Sequence, residues 1–181
     1  FIETHGGSSN AYTAPDHTNY FFDIQPEFFG EGLDRFGQFF IAPLMDPSYV
    51  EREKNAVHSE YQMQYKADGW RGFTVQKQAM NPDHPFSQFS IGSLETLDGD
   101  VYSDLMTFFE EHYSADQMSA VVLHKEPLET LVPWVKALFS DVAGNDRGPI
   151  AIEADLIKPD SLPMTLRYQN LKDDHSVSYT F

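Results

Sequence analysis

The sequence predicts an α+β fold, in which an antiparallel or mixed sheet has helices packed against one side. Two stretches near the start of the chain flank a turn-rich segment, and the second alternates aromatic with polar residues, which is typical of a hairpin. Several later stretches repeat apolar residues at helical spacing. A short apolar run within residues 118–124 predicts a core strand between two of those helices.

The hairpin is predicted over residues 8–13 and 19–24. Tyr20, Phe22 and Ile24 alternate along the second strand, so that strand has one strongly apolar face. The first strand is small and polar, which suits the edge of a sheet. Such an edge carries free N–H and C=O groups that can receive an extended peptide.

A long helix is predicted over residues 46–71, beginning with Asp46 as the N-cap and Pro47 at the first helical position. Glu53 and Glu60 are seven residues apart, so they lie within about 20° of each other on one helical face, two turns apart. A neighbouring apolar face is predicted to anchor the helix. Its members are Val50, Val57 and Tyr61.

Further helices are predicted over residues 27–40 and 100–113 and from Pro127 onward, each from an apolar stripe. Residues 81–91 predict a loop, in which His84 is expected to make a hydrogen bond that fixes the loop. The apolar stripes are expected to form the core. Their members are Phe29, Leu33, Phe36, Phe40, Leu105, Phe108, Phe109, Leu128, Leu131, Val135 and Leu138.

The predicted domain boundary lies in residues 144–163, where glycine, proline and acidic residues reach the density of a linker. Residues 1–143 would then form the later part of one α+β domain. Residues 164–181 would begin a second, truncated domain, with short strands at 166–168 and 177–181 that need partners from elsewhere. Exposed faces or an unpaired strand edge of this kind would favour self-association.

The composition limits the classes of function. There are 28 acidic and 12 basic residues, giving a net charge of -16, so the chain should repel nucleic acid. The chain contains no run of about 18 apolar residues, so no membrane-spanning segment is predicted. The chain has no cysteine, which excludes disulfides and thiolate metal sites.

Six stretches, in order along the chain, resemble the pitrilysin and insulin-degrading-enzyme (insulinase, M16) family of zinc metallopeptidases, which carry an inverted H-x-x-E-H motif. The most specific is REKNAVHSE at residues 52–60. The others are HGGSSNAYT (5–13), TNYFFDI (18–24), LDRFGQFFIAPL (33–44), DGWR (68–71) and HPFSQF (84–89).

The resemblance implies a half-domain of a zinc-dependent endopeptidase that degrades peptides enclosed in a two-halved chamber. At the matching positions, Glu60 would be a zinc ligand and Glu53 an outer-shell carboxylate that supports the ligands. Trp70, just past a predicted helix break at Gly69, would line the cavity near the metal. The edge strand implied to bind substrate contains Asn10, Ala11 and Tyr12.

The H-x-x-E-H motif itself is absent from this sequence, since the residue that would be the first histidine of a motif ending at Glu111-His112 is Phe108. Two histidine ligands and the general base are therefore expected outside this chain, in a longer protein, and the chain alone is expected to be inactive. The resemblance to bacterial pitrilysins also implies a periplasmic location.

Two other functions stay open at this point. The chain could belong to a non-catalytic chamber half or core subunit of the same superfamily, although such halves usually lose the glutamates together with the histidines. It could also be an acidic binding domain that holds a hard cation such as calcium or magnesium through oxygen ligands.

Overall fold

The computed structural model describes residues 1–180 and confirms the α+β class. A two-stranded sheet is followed by five α-helices, with short 3-10 helices between them. The elements are β1 (Ser8–Thr13), β2 (Thr18–Asp23), α1 (Phe29–Ile41), α2 (Pro47–Gln64), α3 (Asp68–Ala79), α4 (Val101–His112) and α5 (Leu128–Phe139).

The chain divides into two compact units, each described by itself. We call Phe1–Met45 with Ser103–Ile150 the hairpin unit. We call Asp46–Tyr102, together with the described residues after 150, the cavity unit. The domain boundary predicted at residues 144–163 stays a prediction.

The predicted hairpin is confirmed. β1 and β2 pair antiparallel, with Ser8 opposite Asp23 and Thr13 opposite Thr18. Gly7 precedes β1 at a position where a Cβ atom would overlap the backbone carbonyl of Asp23, so the close approach of the two chains requires glycine. Among the described residues β1 pairs only with β2, which leaves its other edge open.

The core of the hairpin unit forms where α1 and α5 pack together. Phe29, Leu33 and Leu131 are buried there, and Leu33 is only 2% exposed. Because β2 alternates, its half-buried face adds Phe22 to the same cluster. The other apolar side chains packed against the cluster are Ile24, Val122, Val135, Leu138 and Phe139.

The core strand predicted at residues 118–124 is wrong. No strand forms there, and Val121 and Leu123 are 96% and 93% exposed, while Val122 packs against the core. The run therefore packs through one side only. A strand also needs a neighbouring strand to pair with, and the described part of the chain offers none at this place.

The single long helix predicted over residues 46–71 is also wrong. α2 ends at Gln64, α3 begins at Asp68, and Ala67 between them is extended with ψ 121°. The break therefore precedes Gly69, which lies inside α3. An extended residue cannot continue the i to i−4 hydrogen bonds, which is why the helix stops there.

Three further expectations on packing are corrected. Phe108 is 53% exposed and Leu128 is 69% exposed, although both belong to apolar stripes. Helical spacing alone therefore did not decide which members of a stripe are covered, because burial depends on what packs against them. The short strands predicted in the tail do not form among the described residues, and Phe181 lies outside them. No helix among the described residues combines the length and apolar character that a membrane crossing needs.

Candidate functional site

α2 begins as the sequence predicts. Asp46 is the N-cap, and its Oδ1 accepts a hydrogen bond from the Ser48 backbone N–H at 2.8 Å, with Pro47 at the first helical position. The bonds from Ser48 hold the pKa of Asp46 below its usual range. The start of the helix that carries Glu53 and Glu60 is therefore fixed by its own capping residues.

Glu53 and Glu60 are both exposed on α2. Their Cα atoms are two turns apart, about 10.5 Å along the axis. Ala56, three residues after Glu53 and four before Glu60, is also exposed and lies on the same side of the helix. Neither carboxylate forms an ion pair or hydrogen bond with another described residue, so both are free to bind something else.

The neighbouring face of α2 is anchored, as predicted. Val50, Val57 and Tyr61 are half-buried, and the Tyr61 ring meets the Phe89 ring edge-on with centroids 5.8 Å apart. His58 Nδ1 accepts the Leu94 backbone N–H at 3.3 Å. These contacts to the loop after α3 hold the helix and fix the direction in which its glutamates point.

The described residues contain no group of three or more His, Asp or Glu side chains that could hold a metal ion. Glu60 fits zinc as one carboxylate ligand, since zinc accepts Asp and Glu oxygens beside histidine nitrogens. A complete site would need further ligands besides it.

The edge strand β1 is exposed along its whole length. Asn10 Oδ1 accepts the Ala11 backbone N–H at 2.8 Å, so a side chain of β1 satisfies one backbone donor of the same strand. Tyr12 is 51% exposed and meets the His17 ring edge-on, with centroids 5.6 Å apart. These three residues belong to the hairpin unit, whereas the glutamates belong to the cavity unit.

Trp70 is half-buried in α3 and lines a cavity of about 480 Å³ inside the cavity unit. Its ring meets Phe73, one turn further on, with centroids 5.8 Å apart. The aromatic side chains that line this cavity are Tyr61, Tyr65, Trp70, Phe73, Phe89 and Tyr168.

Tyr168 reaches this cavity because the tail is fixed to the start of α3. The carboxylate of Asp68 accepts the backbone N–H groups of Leu171 at 2.7 Å and Lys172 at 3.0 Å. Gly72, one turn into α3, gives the Tyr168 hydroxyl room, since a Cβ there would lie 2.5 Å from it. The sequence pattern did not predict this contact, because nothing local links residues so far apart in the chain.

Lys77 is a second residue that the sequence analysis missed. It is 8% exposed, lines the same cavity, and donates from Nζ to the Gln88 carbonyl at 2.8 Å. Burial lowers its pKa. The signal was present, because Trp70, Phe73 and Lys77 are spaced i, i+3 and i+7 and so place a lysine on an apolar stripe.

Two family models match the chain. Residues 1–83 match the model described as insulinase, peptidase family M16, and residues 100–181 match the model described as the peptidase M16 inactive domain. The matches confirm the family that the six sequence stretches predict.

Similar proteins agree with this assignment. The chain is 38% identical to "Insulin-degrading enzyme-like 1, peroxisomal" of Arabidopsis thaliana, over all of this chain and 19% of that protein. It is 39% identical to "Putative zinc protease mug138" of Schizosaccharomyces pombe, over 78% of this chain and 15% of that protein. The chain thus spans about a fifth or less of the length of these curated relatives.

A solved structure, the crystal structure of pitrilysin, matches with a TM-score of 0.81 at 35% sequence identity. The match covers 87% of this chain and 17% of that chain. Glu53, Glu60 and Trp70, as well as β1, all lie within residues 1–83.

The expected periplasmic location is wrong. Similar curated proteins come from plants, mammals and fungi, and one is named peroxisomal. These relatives give no support to the periplasmic location implied by the resemblance to bacterial pitrilysins.

Proposed function

The chain belongs to the insulinase family of peptidases, family M16, and from that premise we propose that it supplies one zinc ligand and part of the substrate-binding surface of a zinc-dependent endopeptidase. The observation that carries the proposal is the pair of unpaired, exposed glutamates on an anchored helix. Glu53 and Glu60 stand in the stretch of residues 52–60 that resembles the family most specifically.

Glu60 is the proposed zinc ligand. Zinc bound there would supply a Lewis acid and a water whose pKa is lowered to about 7. The contribution of Glu60 is a carboxylate oxygen held in place by α2, because His58 and Tyr61 fix the other side of the helix. The remaining ligands, two histidines, and the general base are proposed to come from outside this sequence.

Glu53 is proposed to support the ligands without binding the metal itself. Its Cα atom lies about 10.5 Å from that of Glu60 along the helix, which is long for two carboxylates to share one ion. Zinc-bound histidines usually donate their second ring N–H to a carboxylate, which fixes the orientation of the ring. The exposure of Glu53 on the same helical face as Glu60 supports this proposed role.

The open edge of β1 is proposed to bind the substrate as an added strand. Backbone hydrogen bonds of this kind give affinity with little dependence on sequence, which suits a peptidase of broad range. The Ala11 N–H, now held by Asn10 Oδ1, would exchange that partner for a carbonyl of the peptide. Tyr12 and Trp70 would contact side chains.

The longer protein is proposed to enclose its peptides in a two-halved chamber, and this chain alone is proposed to be inactive. The support is the length of the relatives, of which the chain spans about a fifth or less, and the absence of a three-residue metal group among the described residues.

The test uses Glu60→Gln in the longer protein that contains this chain, with zinc content and peptide cleavage as readouts. Glutamine keeps the size of the side chain and removes its charge, so we expect loss of both bound zinc and activity. Glu51→Gln is the matched control, because Glu51 is exposed on α2 and already paired with Lys54 at 3.1 Å. Normal zinc stoichiometry in Glu60→Gln would contradict the assignment.

A calorimetric zinc titration of this chain by itself completes the test. We expect weak binding or none, with no change in Glu60→Gln, because one carboxylate does not make a zinc site. Tight one-to-one binding that Glu60→Gln abolishes would mean that the chain completes a site from its own histidines.

One observation favours a second candidate, a non-catalytic member of the same superfamily. Residues 100–181 match a model described as an inactive domain. The same zinc measurement on the longer protein separates the two, because a non-catalytic chamber half would bind no zinc either before or after the Glu60→Gln substitution.

A further inference from the structure

The cavity around Trp70 has an unusual charge for this protein. The chain carries 28 acidic and 12 basic residues, yet the described residues that line the cavity include Arg71 and Lys77 and no Asp or Glu. Arg71 already forms an ion pair with Asp68, so Lys77 is the cation of the cavity lining that has no carboxylate partner among the described residues, and it makes the pocket complementary to an anionic ligand.

Lys77 holds its charge without an acidic partner. Its Nζ donates one hydrogen bond, to the Gln88 carbonyl, and lies 4.9 Å and 5.0 Å from the ring centroids of Phe73 and Phe86. Among the described residues no carboxylate forms an ion pair with it. Burial of an unpaired cation is costly, which is why the pKa of Lys77 is lowered, and an incoming anion would relieve that cost.

Arg71 adds a second unsatisfied donor. Its Nε–H is buried and finds no hydrogen-bond acceptor in the described chain, with Asp68 Oδ1 at 3.9 Å. Asp68 is engaged by the backbone N–H groups of Leu171 and Lys172. One Nη of Arg71 donates to the Gln169 carbonyl at 3.2 Å, so the guanidinium is held in place with its Nε–H unused.

The rest of the cavity is mainly apolar and aromatic. Trp70, Phe73 and Tyr168 belong to a wall of six aromatic side chains around a volume of about 480 Å³. That volume lies within the range of small-molecule sites and is large enough for an aromatic side chain with its own backbone. The ligand that fits such walls has a large apolar body and a single anionic end.

We propose that this cavity binds a carboxylate carried on a large apolar group, and that its ligand is the C-terminal residue of a peptide that ends in an aromatic side chain. The carboxylate would pair with Lys77, and the aromatic side chain would pack against Trp70 and Phe73. This inference deepens the proposed function and rests on it, because hydrolysis of any peptide bond creates a new terminal carboxylate. Binding in the cavity requires neither Glu60 nor zinc.

The test is a fluorescence titration of the full chain without added zinc. The chain has two tryptophans, so a Trp134→Phe background leaves Trp70, in the cavity wall, as the only reporter. The probes are N-acetyl-Ala-Ala-Phe with a free carboxylate and the same peptide as its C-terminal amide. We expect the acid to bind at least about tenfold more tightly than the amide, which corresponds to about 1.4 kcal/mol.

Lys77→Met should reduce that preference to less than about threefold, because methionine keeps an unbranched side chain and removes the charge. Lys54→Met is the matched control, since the Lys54 side chain is 12% exposed but already paired with Glu51. It should leave the preference unchanged. Equal binding of acid and amide to the background chain would overturn the proposal, even if Lys77→Met failed to fold.

A third probe, 3-phenylpropionate, distinguishes the two sources of an apolar carboxylate. Binding at least about tenfold weaker than that of the peptide acid would support a peptide ligand. Equal binding would overturn the peptide assignment in favour of a free acid. Because zinc and Glu60 take no part in these titrations, failure of the peptidase proposal would leave their outcome unchanged.

Discussion

The two units of the chain bury different kinds of residue. All three buried apolar side chains of the described chain, Phe29, Leu33 and Leu131, lie in the hairpin unit. Of the four buried polar residues, Lys77, Asn81 and Ser93 lie in the cavity unit, and Ser114 lies in the hairpin unit. Among its described residues the cavity unit therefore has no fully buried large apolar side chain at its centre.

The buried polar residues of the cavity unit are ordered by hydrogen bonds. Asn81 donates from Nδ2 to the Asp155 carbonyl at 2.9 Å, and Ser93 accepts the Thr96 backbone N–H at 3.2 Å. Such bonds contribute little net stability but fix positions, because a buried polar group left without a partner is costly. The comparison indicates that apolar burial stabilises the hairpin unit, whereas the cavity unit is arranged to position side chains.

The largest expected effect is that of Leu33→Ala, which tests whether apolar burial stabilises the hairpin unit. Removing a side chain that is 2% exposed leaves a cavity between α1 and α5, and we expect the free energy of unfolding to fall by about 2–5 kcal/mol. Chemical denaturation of the chain measures it. Leu128→Ala, at a position 69% exposed, is the control and should change it by less than about 0.5 kcal/mol. Equal losses in both variants would show that this core does not stabilise the chain.

Two glycine substitutions compare how well a close contact in each unit tolerates an added Cβ atom. Gly7→Ala places a Cβ against the backbone carbonyl of Asp23, which cannot move without disturbing the hairpin, so we expect a loss of about 1–3 kcal/mol. Gly72→Ala meets only the ring and hydroxyl of Tyr168, a flexible side chain, and gains helix propensity, so its net change should be below about 1 kcal/mol. Thermal unfolding of the two variants compares them, and a larger loss in Gly72→Ala would contradict the view that this contact is adaptable.

The smallest expected effect is a pH dependence of the contact between Asp68, at the start of α3, and the chain at Leu171 and Lys172. Hydrogen bonds from Leu171 and Lys172 hold the pKa of Asp68 below its usual range, so its stabilisation is present above about pH 3.9 and is lost as the pH falls through the folded-state pKa. We expect the NMR signals of those two amides to titrate together with a midpoint below about 3.9.

Asp68→Asn should remove that titration, since the amide side chain has no proton to lose in this range. Asp98→Asn, a change of another aspartate in the same unit, should leave it in place. A midpoint at or above the usual aspartate value would show that the tail does not depend on the Asp68 carboxylate.

Local features of the fold were predictable from the sequence. The hairpin, the start of α2 at Asp46 and the common face of Glu53 and Glu60 depend on residues within a few turns of each other, and the structure agrees with all three. Ordered family stretches predicted the M16 family, which the family models confirm. The metal role of Glu60 was also predicted from these stretches and stays a prediction.

The sequence by itself thus determined the hairpin, the start of α2 and the common face of the two glutamates, because each depends on residues close together in the chain, and its six ordered stretches determined the family. Only the tertiary structure decided which apolar runs find partners. Val121 and Leu123 are exposed where a strand was expected. Tyr168 lies against Gly72 because the Asp68 carboxylate binds the backbone of the tail at Leu171. It also enclosed Lys77 among aromatic rings. The physical reason is that burial and strand pairing depend on residues distant in the chain, which local periodicity does not contain.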